Sequence, residues 1–282
     1  AKWGGAIYNS SWQGSATTNI AGGTSFTNNS ATDEGGAIYV YDNAKVNIDT
    51  TAGNVVFSSN TAKQGSDIYL DGENSELIVN GTNKNNKVTF GSEKSIAGDG
   101  KIIHQSAGTF EIKDNKDLSG FTGSYTQTSG KTTLNNSTIF NKYDIQKGEL
   151  ELVNGSNATI DGVDKKFSGS ALTVDDSTLN LETNVNADVN VNIKENGIIN
   201  LENNSDLTMN NGDKWDGTIN NNNGNLTVDG YKGNGNYTQN GGQITLTNKS
   251  DLTLKDKNSS IKTGSVKVDG NSTLNVSIGA KI

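Results

Sequence analysis

The chain has 282 residues, a formal net charge of −8 and only 31% apolar residues, and all 23 of its basic residues are Lys. The absence of Cys excludes disulfides and thiolate metal sites, and an acidic balance without Arg argues against a nucleic-acid partner, because phosphate contacts need clustered cations. No apolar run approaches the ~20 residues that span a bilayer as a helix, and a start at Ala1 with no signal peptide reads as a mature or excised fragment.

Along the chain, a motif recurs in the first third. "GGAIY" occupies Gly4 to Tyr8, "FTNNSATDEGGAIYV" runs from Phe26 to Val40, and "FSSNTAKQGSDIYL" runs from Phe57 to Leu70. Ile7, Ile38 and Ile68 are 31 and 30 residues apart, and Phe26 and Phe57 are 31 apart. Asn29 and Asn60 each follow their Phe by three residues. Read as strands, these segments alternate faces: Ile38 and Val40 share one, and Ala37, Tyr39 and Tyr41 share the other. Asp67 stands where Ala37 stands, and its charge marks that face as the outside. The alternation then predicts Ile7, Ile38 and Ile68 inward and Tyr8, Tyr39 and Tyr69 outward. Gly36 and Ser66 fall on the inner face, where a small residue lets the backbone approach the core.

Further on, "KIIHQSAG" with His104 reads as a strand, and Lys113 to Leu118 is at most one helical turn. "YTQTSGKTTL" from Tyr125 and "YTQNGGQITL" from Tyr237 are a matched pair. Two alternating strands around an Asn/Asp/Gly/Ser corner recur from Leu150, Leu172, Val191, Ile244 and Val266, with steps of 22, 19, 53 and 22 residues. The long step holds "LTMNNG" and "NLTVDG" and a predicted loop over Asn220 to Asn223. Alternation over short runs with polar corners indicates strand, and Asn, Gly and Asp supply the positive φ of tight bends.

A chain of average composition carries about 5% Pro, whereas this one has 42 Asn, 34 Gly and no Pro. Pro cannot donate to a strand ladder, so a chain paired along nearly its whole length would look like this. A sandwich would not repeat one motif in register, and a propeller blade needs about 40–45 residues. A parallel β-helix stacks each coil on its predecessor, Phe26 on Phe57, Asn29 on Asn60 and Ile38 on Ile68. The predicted fold is therefore all-β, a parallel β-helix (β-solenoid) of about 13 coils at roughly 22 residues each. It is expected to be one domain over 1–282, with the stronger repeat in 1–91 and weaker short coils in 92–282.

Phe26 and Asn29 followed by Gly35, Gly36, Ala37 and Ile38 resemble the Phe-x-x-Asn and Gly-Gly-Ala-Ile repeats of the polymorphic outer membrane proteins and related autotransporter passengers. Phe57 and Asn60 continue the pattern, which departs at Gly65, Ser66 and Asp67 before returning at Ile68. The "YTQTSG" and "YTQNGG" segments also look like passenger repeats, and beyond 1–91 the match is one of style. The resemblance implies a right-handed β-helix exported to the bacterial surface or secreted, held through a membrane barrel or anchor outside this chain, and usually adhesive.

Chemistry leaves few candidates. A Ser-His-Asp triad would have to use His104, for which a surface or corner position is the plainer reading, and no nucleophile elbow accompanies it. β-helix lyases and galacturonases rely on Arg or Lys with clustered carboxylates, and Arg is missing. Asp175 and Asp176 are adjacent and so point to opposite faces of a strand, and Asp114 and Asp117 flank a turn. The acidic corner of Asp71, Glu73, Asn74 and Glu76 lacks calcium-loop spacing. Tyr8, Tyr39, Tyr41 and Tyr69 form either a stabilising stack or an aromatic stripe for a glycan or protein, which Trp3 and Trp12 could extend. Thr126/Thr128 and Thr245/Thr247 raise an ice-binding alternative, but these pairs do not recur at the coil period. The expectation is a non-catalytic adhesin-like passenger without cofactor or metal, binding a host-cell surface protein or glycan or another copy of itself. A polysaccharide-degrading β-helix enzyme is the alternative.

Overall fold

The computed structural model describes residues 1–11, 14–115, 117–140, 142–161, 171–182, 185–194, 196–202, 204–210, 212–255 and 259–276. They belong to two compact units, Ala1–Glu149 and Leu150–Ile282. In both, the described strands pair in parallel with strands of neighbouring coils, and no helix occurs among the described residues. This is a β-solenoid. At the candidate helical turn, the strand Thr109–Lys113 simply ends at Asp114, whose φ of 54° breaks the extended backbone.

The first unit has three ladders. One joins Ile7–Ser11, Ile38–Asp42, Ile68–Asp71 and Ile96–Gly98. The second runs through Thr17–Ala21, Lys45–Asp49, Glu76–Asn80, Lys101–His104, Ser124–Gln127 and Tyr143–Ile145. The third runs through Ser25–Thr27, Val55–Ser58, Lys87–Gly91, Thr109–Lys113 and Lys131–Asn135. Ile7 pairs with Ile38, Ile38 with Ile68, and Phe26 with Phe57, as the repeat predicts. The coils are not uniform. Ile7, Ile38, Ile68 and Ile96 mark three coils over the 89-residue step from 7 to 96, where 22-residue coils would have placed four. After Gly98 the first ladder persists only as a bridge to Phe121, and Phe110 pairs with Thr132, 22 residues on. The expected thirteen coils are thus a slight overcount, because the early coils take 31, 30 and 28 residues each.

Inward residues stack like on like. Phe57 is fully buried, with the Phe26 ring 4.8 Å away on one side and Phe90 4.9 Å away on the other. Such pairs contribute about 0.5–1.5 kcal/mol beyond area burial, which is itself about 1.5–3 kcal/mol per large side chain. Ile38, Val40, Ile68 and Leu70 are fully buried, so the isoleucines do point inward.

In the second unit Leu179, Ile199, Ile219 and Tyr237 form an inward column, all fully buried. On the outer face Asn220 donates to Asn200 (2.9 Å) and Asn200 to Asn180 (2.7 Å). An amide is both donor and acceptor, so identical Asn residues in register bond along the axis, which accounts for part of the Asn content. The predicted loop at Asn220–Asn223 is corrected here: Asn220 and Asn221 end the strand Thr218–Asn221, and Asn221 is fully buried. Asp175 and Asp176 follow the strand Ala171–Val174 instead of lying in one. Asp176 has a φ of 44°, and Asp175 meets Lys194 at 2.9 Å. Thr208, Thr227 and Thr245 do stack in register, but beside them lie Asn210, Asp229 and Thr247, so Thr-x-Thr occurs at the last level alone. Thr126, for its part, lies between Ile103 and Asp144.

Candidate interaction surface

Three aligned segments of the first unit build one corner: residues 2–8, 33–39 and 63–69. Gly4, Gly35 and Gly65 each adopt the left-handed region, with φ of 59°, 66° and 59°. A Cβ at Gly35 would sit 2.4 Å from the carbonyl oxygen of Ile38, so only Gly fits this turn. The turn folds the residue before each glycine back towards the following strand. Trp3, Glu34 and Gln64 lie in register on one side, and Tyr8, Tyr39 and Tyr69 on the other. Trp3 thereby reaches 6.4 Å from Tyr8 and 6.0 Å from Tyr39.

The tyrosines form a parallel ladder, 5.3 Å from Tyr8 to Tyr39 and 5.6 Å from Tyr39 to Tyr69, with ring planes within 7°. Tyr8 is 50% exposed, Trp3 and Tyr41 each 38%, and Tyr69 is half-buried. The expectation that Tyr39 is an outward contact residue fails, since it is only 4% exposed. It does leave the core side of its strand, but Tyr8, Tyr69, Tyr41 and Trp3 cover it. Its hydroxyl donates to the Asp71 carboxylate, and burial, with that bond and charge, raises its pKa. Burial also raises the Glu34 pKa, helped by the nearby charges of Asp71 and Asp33. Along the rim Asp33 lies between two cations, 2.6 Å from Lys63 and 3.9 Å from Lys2, and the Lys63 hydrogen bond lowers its pKa. At the fourth level Ala97 takes the tyrosine position, and the ladder stops.

The repeat motif itself is scaffold. Phe26, Phe57, Gly35, Gly36, Gly65, Ala37, Ile38, Asn60 and Ile68 are all buried. Asn60 accepts from the Asn29 N–H (2.9 Å) and Nδ2 (3.0 Å) and donates to the Phe26 carbonyl (2.9 Å) and Asp67 (2.9 Å). Asn29 is half-buried. Asp67 is a second correction, because the residue used to mark the outside is fully buried. It precedes the strand Ile68–Asp71, so strand alternation does not apply to it. Burial pushes its pKa up to about 6, against hydrogen bonds from Asn60 and Ser92. His104 is no surface residue either. It is fully buried, 3.2 Å from the Tyr125 hydroxyl, and burial lowers its pKa to about 4.

In the acidic corner Asp71 serves Tyr39, and Glu76 pairs with Lys45 at 2.8 Å. Among the described residues no group of three or more His, Cys, Asp or Glu side chains is arranged to hold a metal. Trp12 lies outside the described residues. Sequence reasoning missed the columns of Trp3, Glu34 and Gln64 and of Lys2, Asp33 and Lys63. The signal was the same 31- and 30-residue offset that relates the isoleucines. It also missed that Gln127 and Gln239 are fully buried, each donating to a glycine carbonyl three residues on, that of Gly130 (3.1 Å) and that of Gly242 (3.3 Å).

The Chlamydia polymorphic membrane protein repeat matches residues 23–41, the segment from before Phe26 through Tyr41. No curated protein and no solved structure matches the chain. The repeat and the parallel solenoid fit a surface-exposed, autotransporter-like passenger and an outer-membrane location.

Proposed function

We propose that this chain is an adhesin-like passenger that binds a host-cell surface through the side of its first solenoid unit and performs no catalysis. One observation carries the reading. The repeat motif is consumed in the scaffold, while the corner it builds presents Trp3, Tyr8 and Tyr41, large aromatics 38–50% exposed, around the covered Tyr39. Exposed aromatic clusters of this kind are characteristic of binding surfaces. The site is a strip and not an enclosed pocket. His104, the one histidine, is buried and would have no access to a substrate.

Single contacts on such a strip are worth about 0.5–1.5 kcal/mol each, so attachment draws on many copies displayed together. The test compares soluble protein with protein-coated beads for attachment to host cells. Coated beads should attach, and Trp3→Ala with Tyr8→Ala should cut attachment at least tenfold at an unchanged melting temperature. Beads that attach equally well with both aromatics removed would refute the surface. Depolymerisation of a polysaccharide by the soluble protein would replace adhesion with the enzyme reading.

A further inference from the structure

Two columns of side chains stand next to each other on successive coils at the aromatic corner, Trp3, Glu34 and Gln64 in one and Lys2, Asp33 and Lys63 in the other. Together they line a recess of about 350 Å³. The charges in it are unequally satisfied. Asp33 is held by Lys63 at 2.6 Å, with Lys2 at 3.9 Å. Glu34, half-buried beside it, makes no ion pair among the described residues. Burial and the charges of Asp71 and Asp33 raise its pKa against the pull of Lys2 and Lys63, so its surroundings are short of positive charge. The exposed Trp3 ring already carries a cation, since the Lys2 ammonium lies 4.3 Å from its centroid. Lys2 is held there weakly. Its side chain is exposed, and its ion pair with Asp33 is long and of the surface kind, which adds little stability.

We propose that this recess receives an arginine side chain of a partner protein, its guanidinium stacked on Trp3 in place of Lys2 and forked onto the Glu34 carboxylate, with the Gln64 amide oxygen as a further acceptor. A guanidinium is planar, presents five donors and is weakly hydrated, so it can lie on an indole and bond a carboxylate at once. A lysine ammonium is a compact, strongly hydrated charge and uses the same surroundings less fully. A neutral sugar would leave Glu34 without a counter-charge, and an acidic ligand would meet Glu34 and Asp33 head on. The net charge of −8 also draws a basic partner towards the chain from a distance.

This inference rests on the adhesion reading and names the chemistry of the partner. The full 282-residue chain on beads is titrated with a Gly/Ser peptide carrying spaced Arg residues, with the same peptide carrying citrulline at those positions, and with a panel of neutral oligosaccharides. The Arg peptide should bind. Citrulline, which keeps the shape and loses the charge, should weaken binding at least tenfold. Glu34→Gln should weaken it as much and keep the melting temperature, because Gln64 already holds the same register position one coil on. Glu149→Gln removes an equal charge from an exposed site outside the recess and should leave binding unchanged. Lys2→Met, which clears the ring of its own cation, should tighten binding several-fold. Equal binding of the Arg and citrulline peptides, equal losses from Glu34→Gln and Glu149→Gln, weaker binding by Lys2→Met, or capture of sugars in place of the Arg peptide would overturn the inference. Beads that attach to cells equally well with Glu34→Gln would sink it alone. Arg-peptide binding through Glu34 without attachment to cells would sink the adhesion reading and leave the recess standing.

Discussion

Asp67 gives the sharpest test of the interior. Its carboxylate is fully buried and bonded to neutral donors, Asn60 Nδ2 at 2.9 Å and the Ser92 N–H at 3.2 Å. Burial wins over those bonds and raises the pKa from 3.8 to about 6. The native state therefore holds this proton more tightly than the unfolded chain does. The stabilisation is fully present below the unfolded value near pH 4 and is lost as the pH rises through about 6. At 1.36 kcal/mol per unit, the group makes the protein roughly 2–3 kcal/mol more stable at pH 4 than at pH 7, opposite in sign to an ion-paired carboxylate. Other carboxylates titrate in the same window, so the quantity to measure is the difference between wild type and Asp67→Asn, by urea denaturation from pH 4 to 7.5. Asn keeps the oxygen that Asn60 needs but meets the Ser92 N–H with its own amide hydrogens. That offset does not vary with pH. The wild-type curve should fall relative to the variant by about 2–3 kcal/mol across the range. A flat difference, or one of opposite slope, would show that Asp67 is ionised and solvated in the native state.

Asn60→Leu should lower stability by roughly 3–5 kcal/mol, because it strands two or three buried groups at about 1–3 kcal/mol each. Asn222→Leu, at the Glu202 corner, should change the thermal midpoint little, and equal midpoints for the two variants would refute the buried role of Asn60. Gly35→Ala should destabilise by at least about 1–3 kcal/mol through positive-φ strain and the 2.4 Å clash with Ile38. A melting curve matching wild type would show that the turn relaxes freely. Tyr39→Ala should cost about 3–5 kcal/mol, as large buried aromatics do, whereas Tyr8→Ala should leave the melting temperature near wild type and weaken bead attachment. Reversed outcomes in these two assays would mean that the central rung is not the covered one.

The order of strands, their parallel stacking and the inward isoleucines were legible in the sequence alone. A solenoid pairs each residue with its counterpart one coil away, so a 31- or 30-residue period in the sequence becomes contact in space. The Asn29–Asn60 contact followed from the same offset. Tertiary structure decided what happens at corners. Alternation holds only within strands, so Asp67, one residue before its strand, turned inward against the parity argument. Coil length was equally hidden, because the corners between strands can shorten without altering the alternation within them: Ile7 reaches its partner Ile38 after 31 residues, Thr178 its partner Ile198 after 20. The exposure of a stacked residue depends on its neighbours: Tyr8, Tyr39 and Tyr69 carry one side chain in one register, and the rungs on either side, with Trp3 and Tyr41, bury the middle one.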